Sequence, residues 1–385
     1  MAAFARDSYD VAIAGGSFAG LAVANQLRDG HVLLIDSRSL GEGQTSACGT
    51  TVGALGALGA LDTIQQIHED LVLHLAPNRH ARLRDRTLRY RLPVQFCTFD
   101  YRALCRLLGD RARGRGVEIV QARALGWKDG ALLTDEGPVH ARSVVDATGW
   151  RATVASSIDA SYVKREHLSC GLEAELPQPA NNHAQGLHFW AGLGTVWPGY
   201  AWSFPAGHTS RLGVIAYRQA GAASSGLREA LDEFLDGPGA GYWSEDGGSA
   251  WRTGTGIPTA GKHLHGGFLP AAPRQPVVGD VLTVGDSAGM CFGLTGEGIR
   301  TALVASIALG ELLQQSIDGH LTPAQARARY RRWVTLRRPY WLLMRLLQQI
   351  VCRMSDAGLA RYSLAAYPQP VFRFLMSQYL MPTRL

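Results

Sequence analysis

The chain has 385 residues, of which 46% are hydrophobic and 18% are charged, and its formal net charge is +6. This composition excludes an intrinsically disordered chain, and the length allows about two domains with cores that need no disulfides. The six cysteines form no Cys-x-x-Cys pair and no long uncharged apolar run is present, so a zinc module, a disulfide scaffold and a membrane-spanning helix are not expected.

The chain begins in the order of a dinucleotide-binding βαβ unit. Residues 9–14 predict a buried strand that ends at a glycine-rich turn, 15–20, and a helical pattern follows at 21–27. A second strand, 31–35, ends on Asp36. This order and the terminal acid predict a nucleotide site, and an ordinary turn of a doubly wound fold is the alternative.

Each position has a physical task at such a site. Gly15 permits a tight turn after the strand, and Gly20 lets the helix pack closely on the sheet. The helix N-terminus presents N–H groups and a partial positive charge to a pyrophosphate. Asp36 can accept hydrogen bonds from a ribose diol, whereas Ser17 departs from the usual middle glycine. Only one such fingerprint is found, which favours FAD over a nicotinamide held by a second module.

The following segment continues the same fold. Residues 102–115 predict a helix and 116–120 predict a strand. Residues 127–134 predict a hairpin because their Asp-Gly pair favours a type I′ turn. Residues 141–149 predict a strand that runs into a turn of small residues, where a backbone can approach a ligand closely.

The pattern changes after this strand and later returns. From 151 to 274, short alternating segments separated by Gly, Pro, Asn and His predict a mostly antiparallel sheet, a candidate substrate domain. Residues 281–284 predict a buried strand, and an apolar helix opens at Ile299. Asp286, between them, suits ribityl or ribose hydroxyls, with a turn cap as the alternative. The helix N-terminus suits the edge of a reduced flavin that gains negative charge.

With these motifs the chain resembles the FAD-dependent geranylgeranyl reductase family, within the flavoprotein group that also includes aromatic hydroxylases and flavin halogenases. The resemblance covers residues 9 to about 313. It rests on the fingerprint with Asp36, Cys48-Gly49, Asp146-Ala147-Thr148-Gly149, Tyr200-Ala201-Trp202-Ser203-Phe204-Pro205, and Gly285-Asp286 through Leu294-Thr295-Gly296-Glu297-Gly298-Ile299.

The expected fold is α/β. It combines a Rossmann-like FAD-binding domain of the glutathione-reductase type with an antiparallel-sheet substrate domain and a helical C-terminal segment. The expected division assigns 1–150 and 275–320 to the FAD-binding domain, 151–274 to the substrate domain and 321–385 to the basic C-terminal segment.

The resemblance implies a set of residues that bind FAD, and no metal. They are the turn, strand-end and helix-start positions of the motifs, with one arginine: Gly15, Gly16, Ser17, Ala19, Gly20, Asp36, Ser37, Cys48, Gly49, Arg102, Thr148, Gly149, Gly285, Asp286, Ala288, Gly296, Glu297, Gly298 and Ile299.

The Tyr-x-Trp-x-Phe-Pro segment discriminates best within the group. Tyr200, Trp202 and Phe204 alternate, so all three face one side of a strand, and the family's version of this segment lines a substrate tunnel beside the flavin. A core face of the sheet is the alternative. Halogenases carry Trp-x-Trp-x-Ile-Pro and a catalytic lysine, which no lysine of this chain matches. The family's second glycine after this segment is replaced by Ile215.

The sequence therefore predicts an FAD-dependent oxidoreductase that reduces carbon–carbon double bonds of a prenyl or other apolar substrate. We expect Cys48, Tyr200, Trp202 and Phe204 in the catalytic region, with Cys48 influencing substrate access or proton delivery; a buried small hydrophobe is the alternative for Cys48. Two other functions remain open. One is an FAD monooxygenase or halogenase-like tailoring enzyme that uses NAD(P)H and O₂ on an aromatic or polyketide-like molecule, and the other is a non-catalytic FAD-binding or lipid-binding protein.

The basic charge is concentrated in the C-terminal segment. Between Gly319 and Ser355 the chain carries eight Arg and no Asp or Glu, which leaves the remainder close to neutral. Nucleic acid is therefore not an expected partner. We expect this segment to contact an anionic membrane surface. The alternative is a solvated arginine face on a helix that packs on the FAD-binding domain. The other expected partners are an apolar substrate and an external electron donor, NAD(P)H or a reduced redox protein. The expected location is cytoplasmic, peripheral to the membrane.

Overall fold

The computed structural model describes residues 4–75, 86–178, 185–192, 198–217, 226–243, 264–354, 358 and 368–381. Parts of the predicted substrate domain (179–184, 193–197, 218–225 and 244–263) and of the predicted C-terminal segment (355–357, 359–367 and 382–385) lie outside the described residues.

The described strands form two sheets of eight strands each. In chain order they are β1 (Ser8–Ala14), β2 (Val32–Asp36), β3 (Gly49–Thr51), β4 (Ile64–Leu75), β5 (Arg86–Phe99), β6 (Glu118–Gln121), β7 (Ala124–Lys128), β8 (Ala131–Thr134), β9 (Gly137–Asp146), β10 (Leu168–Pro177), β11 (Leu187–Ala191), β12 (Gly199–Ala206), β13 (Thr209–Ala216), β14 (Leu264–Pro270), β15 (Val277–Val278) and β16 (Val281–Thr283).

The described α-helices cover the sheets and form the C-terminal segment. They are α1 (Phe18–Ala24), α2 (Val52–Ala57), α3 (Tyr101–Gly114), α4 (Thr153–Ile158), α5 (Leu227–Asp236), α6 (Ile299–Ile317), α7 (Pro323–Val351) and α8 (Gln369–Leu380).

The first sheet has a parallel centre in the order β16-β9-β1-β2-β6. Ala14 pairs with Ile35 and with Asp146, and Asp146 pairs with Thr283. Because parallel strands end on the same edge, the turns that follow β1, β2, β9 and β16 meet there. This is the edge at which open parallel sheets bind ligands.

Helices α1 and α6 pack against this sheet and against each other. A Cβ placed on Gly310 of α6 would stand 2.5 Å from the Cβ of Gln26, so a small residue is required where α6 passes the end of α1. Most of α6 is buried, as its nearly continuous apolar sequence predicts. The predicted strand–turn–helix–strand order and the helix that opens at Ile299 are confirmed.

The second sheet has the order β14-β10-β13-β12-β11-β4-β5-β3. Its pairs are antiparallel except for β11 and β4, which are parallel. The prediction that 1–150 lies wholly in the FAD-binding domain is wrong at its centre, because β3, β4 and β5 belong to this second sheet. The β4–β11 pairing joins segments more than a hundred residues apart, which local sequence patterns do not reveal.

The helical C-terminal segment is confirmed for the described residues. Helix α7 begins with a capping box in which Thr322 and Gln325 satisfy each other's backbone N–H groups, and it buries Tyr330 and Trp341 against the first sheet's layer. Rings from both C-terminal helices flank Phe292, with centroid distances of 6.1 Å to Trp341 and 5.1 Å to Tyr379. None of the helices in the described part of the chain has the length and apolar character that a bilayer crossing requires.

Candidate active site

The fingerprint turn is built by close backbone contacts. Gly15 has a φ of 113°, and a Cβ there would lie 2.2 Å from the carbonyl oxygen of Ala147. A Cβ on Gly20 would lie 1.9 Å from the carbonyl oxygen of Gly15. Neither position accepts a side chain, as the sequence predicts. Ser17 precedes α1 without a side-chain cap, and its Oγ lies 3.0 Å from the Tyr101 hydroxyl, which leaves the first turn of α1 uncapped.

The acid at the end of β2 faces this turn. The Asp36 carboxylate accepts hydrogen bonds from the backbone N–H of Gly16 at 2.6 Å and of Arg38 at 2.9 Å. Each carboxylate oxygen keeps acceptor capacity for a sugar hydroxyl. Ser37 follows in an exposed position, and Arg102 is exposed on α3, where its backbone contacts Gly41.

The buried Asp146 fixes the neighbouring turns. Its carboxylate accepts hydrogen bonds from the backbone N–H and hydroxyl of Thr148, the N–H groups of Val154 and Ala155, and the hydroxyl of Ser287. The turn after β9, which contains Thr148 and Gly149, is thereby tied to the turn after β16. Because Asp146 is buried and its carboxylate is fully paired, we interpret it as a residue that positions these two turns.

The turn after β16 presents the second acid. Gly285–Ala288 is a short 3₁₀ helix, and a Cβ on Gly285 would stand 3.0 Å from the Cβ of Ala19, so this turn packs on α1. Asp286 does not cap the turn. Burial raises the pKa of its carboxyl to about 6, against the lowering effect of Arg274. Two acids, glycine turns and an uncapped helix are the donor and acceptor set that a dinucleotide with sugar hydroxyls requires, so these residues fit FAD.

The loop that leads into α6 is held from three sides. The Tyr200 hydroxyl donates to the carbonyl of Thr295 at 2.5 Å, and the Tyr217 hydroxyl donates to the carbonyl of Leu294. Tyr379 donates to the carboxylate of Glu297, which also receives two bonds from Arg300 at 2.7 and 2.8 Å. The start of α6 is therefore a rigid element whose first turn has no side-chain cap.

A cavity of about 1120 Å³, including the part open to solvent, lies against the second sheet beside this loop. The loop side contributes the predicted residues Gly49, Gly296, Glu297, Gly298 and Ile299. The rest of the wall is mainly apolar and aromatic, and it includes side chains of β4, β5, β11 and β12. This composition is typical of a site for an apolar ligand.

The three alternating aromatic residues of β12 all line the cavity. Ring centroids are 6.1 Å apart for Tyr200 and Trp202 and 6.3 Å apart for Trp202 and Phe204, so the three rings form a continuous wall. A Cβ on Gly213 would stand 2.1 Å from the ring of Trp202, so this glycine makes room for the indole. Ile215 also lines the cavity, where the family pattern has a second glycine.

Cys48 lies behind the cavity wall rather than on it. Ala47 and Gly49 line the cavity, whereas Cys48 is fully buried with a φ of 52°. Its thiol donates to the carbonyl of Ser46 at 3.2 Å, and burial raises the pKa of the thiol far above its usual range. Its expected influence on substrate access or proton delivery stays a prediction.

Two features of the cavity are absent from the sequence-based prediction. Glu173 of β10 lines it and is 3% exposed. The sequence signal was one of two acids, Glu173 and Glu175, within the mainly apolar strand Leu168–Pro177. Met376 and Tyr379 of α8 also line it, so the C-terminal segment closes the cavity. No motif marks these residues.

Comparisons with known proteins agree with this geometry. No protein-family model matches the chain. Two curated archaeal relatives are digeranylgeranylglycerophospholipid reductases. The one from Haloferax volcanii is 26% identical over 337 residues, which are 80% of this chain and 78% of the relative. The one from Methanocaldococcus jannaschii is 25% identical over 371 residues, which are 91% and 88%.

Solved structures share the fold. A geranylgeranyl bacteriochlorophyll reductase-like protein from Thermoplasma acidophilum has a TM-score of 0.78 at 17% identity and covers 98% of this chain and 96% of its own. PqsL from Pseudomonas aeruginosa, described as a probable FAD-dependent monooxygenase, has a TM-score of 0.66 at 17% identity and covers 92% and 98%. The myxobacterial halogenase CndH has a TM-score of 0.65 at 16% identity and covers 89% and 82%. The resemblance, the enzyme class and the FAD cofactor expected from the sequence are thus confirmed: the chain is an FAD-dependent enzyme with the fold shared by these reductases, monooxygenases and halogenases.

Proposed function

We propose that this enzyme reduces carbon–carbon double bonds of a prenyl chain or a similarly apolar substrate. The observation that carries the proposal is the apolar, aromatic cavity that lies directly against the glycine loop opening α6. The names of the two curated relatives support the same substrate class.

The cofactor is proposed to lie along the edge shared by β1, β2, β9 and β16. Asp36 would accept the ribose hydroxyls, the turn at Gly15–Gly20 would receive the pyrophosphate, and Asp286 would accept hydroxyls of the ribityl chain. The uncapped start of α6 would stabilise negative charge on the flavin ring. When bound and reduced, FAD supplies the hydride for the reaction.

The cavity wall is proposed to position the substrate and to exclude water. Tyr200, Trp202 and Phe204 line the cavity, and Leu92 and Leu187 add to its apolar surface. Burial in such a cavity stabilises a bound hydrocarbon chain by about 25 cal/mol for each Å² of apolar surface removed from water. Ile215 narrows the cavity relative to the glycine of the family pattern, so it is the residue we expect to restrict substrate shape.

The experiment is an anaerobic turnover of the purified protein, reduced with dithionite, on geranylgeraniol in detergent. We expect the visible absorbance of a bound flavin, and products heavier by two hydrogens for each reduced double bond. Mass gain that needs O₂ and NAD(P)H would replace the reductase proposal with a monooxygenase. A colourless protein that FAD cannot reconstitute would refute the cofactor assignment. Supplying NAD(P)H or a reduced ferredoxin in place of dithionite identifies the donor.

We also propose that the C-terminal helices contact an anionic membrane surface. The second half of α7 exposes Leu342, Leu343, Leu346 and Ile350, while Arg329, Arg331 and Arg332 are exposed in its first half. Helix α8 exposes Val371, Phe374 and Leu375 together with Arg373. Exposed apolar side chains beside arginines are typical of segments that lie in a lipid interface. Because α8 also lines the cavity, a lipid substrate would have a short path from the bilayer.

Flotation with vesicles tests this contact. We expect binding to phosphatidylglycerol vesicles, little binding to phosphatidylcholine vesicles, and release by salt. The double variant Phe374→Ser/Leu375→Ser should lose binding, whereas Leu125→Ser, which changes an exposed leucine of the first sheet, should keep it. Equal flotation of the two variants would contradict the proposal.

A further inference from the structure

The proposed reduction needs a proton as well as a hydride, and the residues identified from the sequence do not offer one. The Tyr200 hydroxyl already donates its proton to the carbonyl of Thr295. The Cys48 thiol donates to Ser46 and does not line the cavity. Trp202 and Phe204 carry no acidic proton.

Glu173 is an acid at the cavity wall. Its side chain is 3% exposed, and its Oε2 accepts a hydrogen bond from the indole N–H of Trp202 at 3.0 Å. Its Oε1 is buried and has no hydrogen-bond partner among the described residues. An unpaired carboxylate oxygen is costly to bury, whereas a protonated carboxyl at this position keeps a proton available to a ligand in the cavity.

We propose that Glu173 is the catalytic proton donor of the double-bond reduction, held in place by Trp202. This inference rests on the proposed function. The bond to the indole engages Oε2, so Oε1 is the oxygen left to carry the proton.

The surroundings of Glu173 bring its titration close to neutral pH. Burial is the main cause that raises the pKa of its carboxyl to about 7; Glu175 acts in the same direction, while Arg211 and the hydrogen bond from Trp202 lower it. The guanidinium of Arg211 donates to other groups, namely the carbonyls of Ala47 and Phe99, the side chain of Gln65 and, at 3.5 Å, the carboxylate of Glu175. His265 pairs in register with Glu173 across β10 and β14 and lines the same cavity.

Two C–H bonds form in the proposed step, one from a proton and one from a hydride. The O–H bond at Glu173 breaks, and the proton forms a C–H bond with the π-electron pair of the alkene. The other alkene carbon forms its C–H bond with a hydride, whose electron pair comes from the reduced flavin as the two-electron reductant. The carboxylate left on Glu173 is reprotonated from water when the product leaves. The aromatic lining of the cavity, Trp202 included, would stabilise positive charge that develops at the more substituted carbon.

The variant Glu173→Gln tests the proposal because an amide oxygen can still accept the Trp202 bond but carries no acidic proton. With the dithionite-reduced holoenzyme and geranylgeraniol, we expect single-turnover reduction to slow about 100-fold or more, with substrate binding retained. The matched control is Glu229→Gln, which changes an exposed glutamate of α5 outside the cavity lining and should stay within a few fold of wild type.

A second readout needs no turnover. The infrared C=O band that wild-type holoenzyme shows at pH 6 and Glu173→Gln lacks should fade as the pH rises through about 7. Asp286, with a pKa of about 6, contributes equally to both proteins and cancels in this difference. Glu229→Gln should keep the band.

The outcomes separate this inference from the function on which it rests. A Glu173→Gln enzyme that reduces geranylgeraniol at a near wild-type rate would overturn the proton-donor role and leave the reductase intact. Absence of the carboxyl band would also overturn it. If wild type reduces no alkene, the proposed function fails first and takes this role with it, even where the band is present.

Discussion

The two ends of the site are built in different ways. At the nucleotide edge, the fingerprint turn and Asp36 come from one continuous stretch of chain, and backbone atoms make the decisive contacts. The cavity is instead assembled from side chains of six or more separate elements, among them β4, β12 and α8. The first end is specified locally, and the second depends on long-range pairing.

This difference explains which parts could be predicted from the sequence. Gly15, Gly20 and Asp36 could be predicted because their tasks each require one residue type at a fixed spacing. These tasks are a tight turn, a helix packed closely on the sheet, and an acid at the end of a strand. The alternation of β12 predicted correctly that Tyr200, Trp202 and Phe204 share a face.

The rest required the fold itself. The partner strand of β4 is β11, and the pairing that brings Glu173 opposite His265 depends on registers that no local pattern fixes. Helix α8 reaches the cavity after a segment without a motif, so Met376 and Tyr379 could not be assigned. A single buried acid such as Glu173 is visible in the sequence, but its exposure to a cavity is not.

The largest effect is expected at the nucleotide edge from Gly15→Ala. The residue has a positive φ and the new Cβ would meet the Ala147 carbonyl, so the turn must move. We expect loss of bound flavin and about 3 kcal/mol of destabilisation. Gly53→Ala, where no atom lies within 4 Å of the new Cβ, is the control. Flavin absorbance per protein and thermal melting measure both effects; a yellow Gly15→Ala protein of normal stability would contradict the backbone account.

The corresponding change in the cavity is Gly213→Ala. The new Cβ would overlap the Trp202 ring and displace it from the wall. We expect FAD to remain bound while alkene reduction falls about 100-fold, because a displacement of this order disrupts alignment. Gly114→Ala, with open space around its Cβ, is the control. If Gly213→Ala instead loses its flavin, the two ends are not separable.

A pH effect is expected from His68, which supports the end of β12. Its Nε2 lies 3.0 Å from the carbonyl oxygen of Pro205, and burial lowers the pKa of the imidazole to about 4. Because the folded pKa lies below the unfolded value of 6.5, its stabilising contribution is complete above pH 6.5 and is lost as the pH falls towards 4. The full contribution is about 3 kcal/mol.

Melting curves of wild type and His68→Gln between pH 7.5 and 4.5 isolate the pH-dependent contribution of His68 to stability. We expect the stability of the variant to fall less steeply on acidification. His74 and His188, whose pKa values burial also lowers to about 4, titrate in both proteins and therefore cancel in the difference. If the stability of both proteins depended on pH in the same way, His68 would not be the cause of the loss of stability in acid.

The smallest effect is expected from Tyr379→Phe. Its hydroxyl donates to Glu297 and lies 2.9 Å from the Thr295 hydroxyl, so its loss loosens α8 from the flavin loop. We expect about 1.5 kcal/mol of destabilisation and a raised KM for geranylgeraniol, with flavin retained because Arg300 still holds Glu297. Tyr340→Phe, a half-buried tyrosine of α7, is the control. An unchanged KM would show that the hydroxyl of Tyr379 does not position α8 for substrate binding.

The pairing of β16 with β9 also has a consequence for biogenesis. Val281 pairs with Val144, and the second sheet's later strands are inserted between them in the chain. During synthesis, a nascent chain that carries the fingerprint and Asp36 still lacks Asp286 and the start of α6. The ribosome must therefore deliver most of the polypeptide before the cofactor edge is complete, and chains that stall earlier cannot acquire flavin by this route. Yellow colour in this protein would then report on completed synthesis and folding as well as on catalytic readiness.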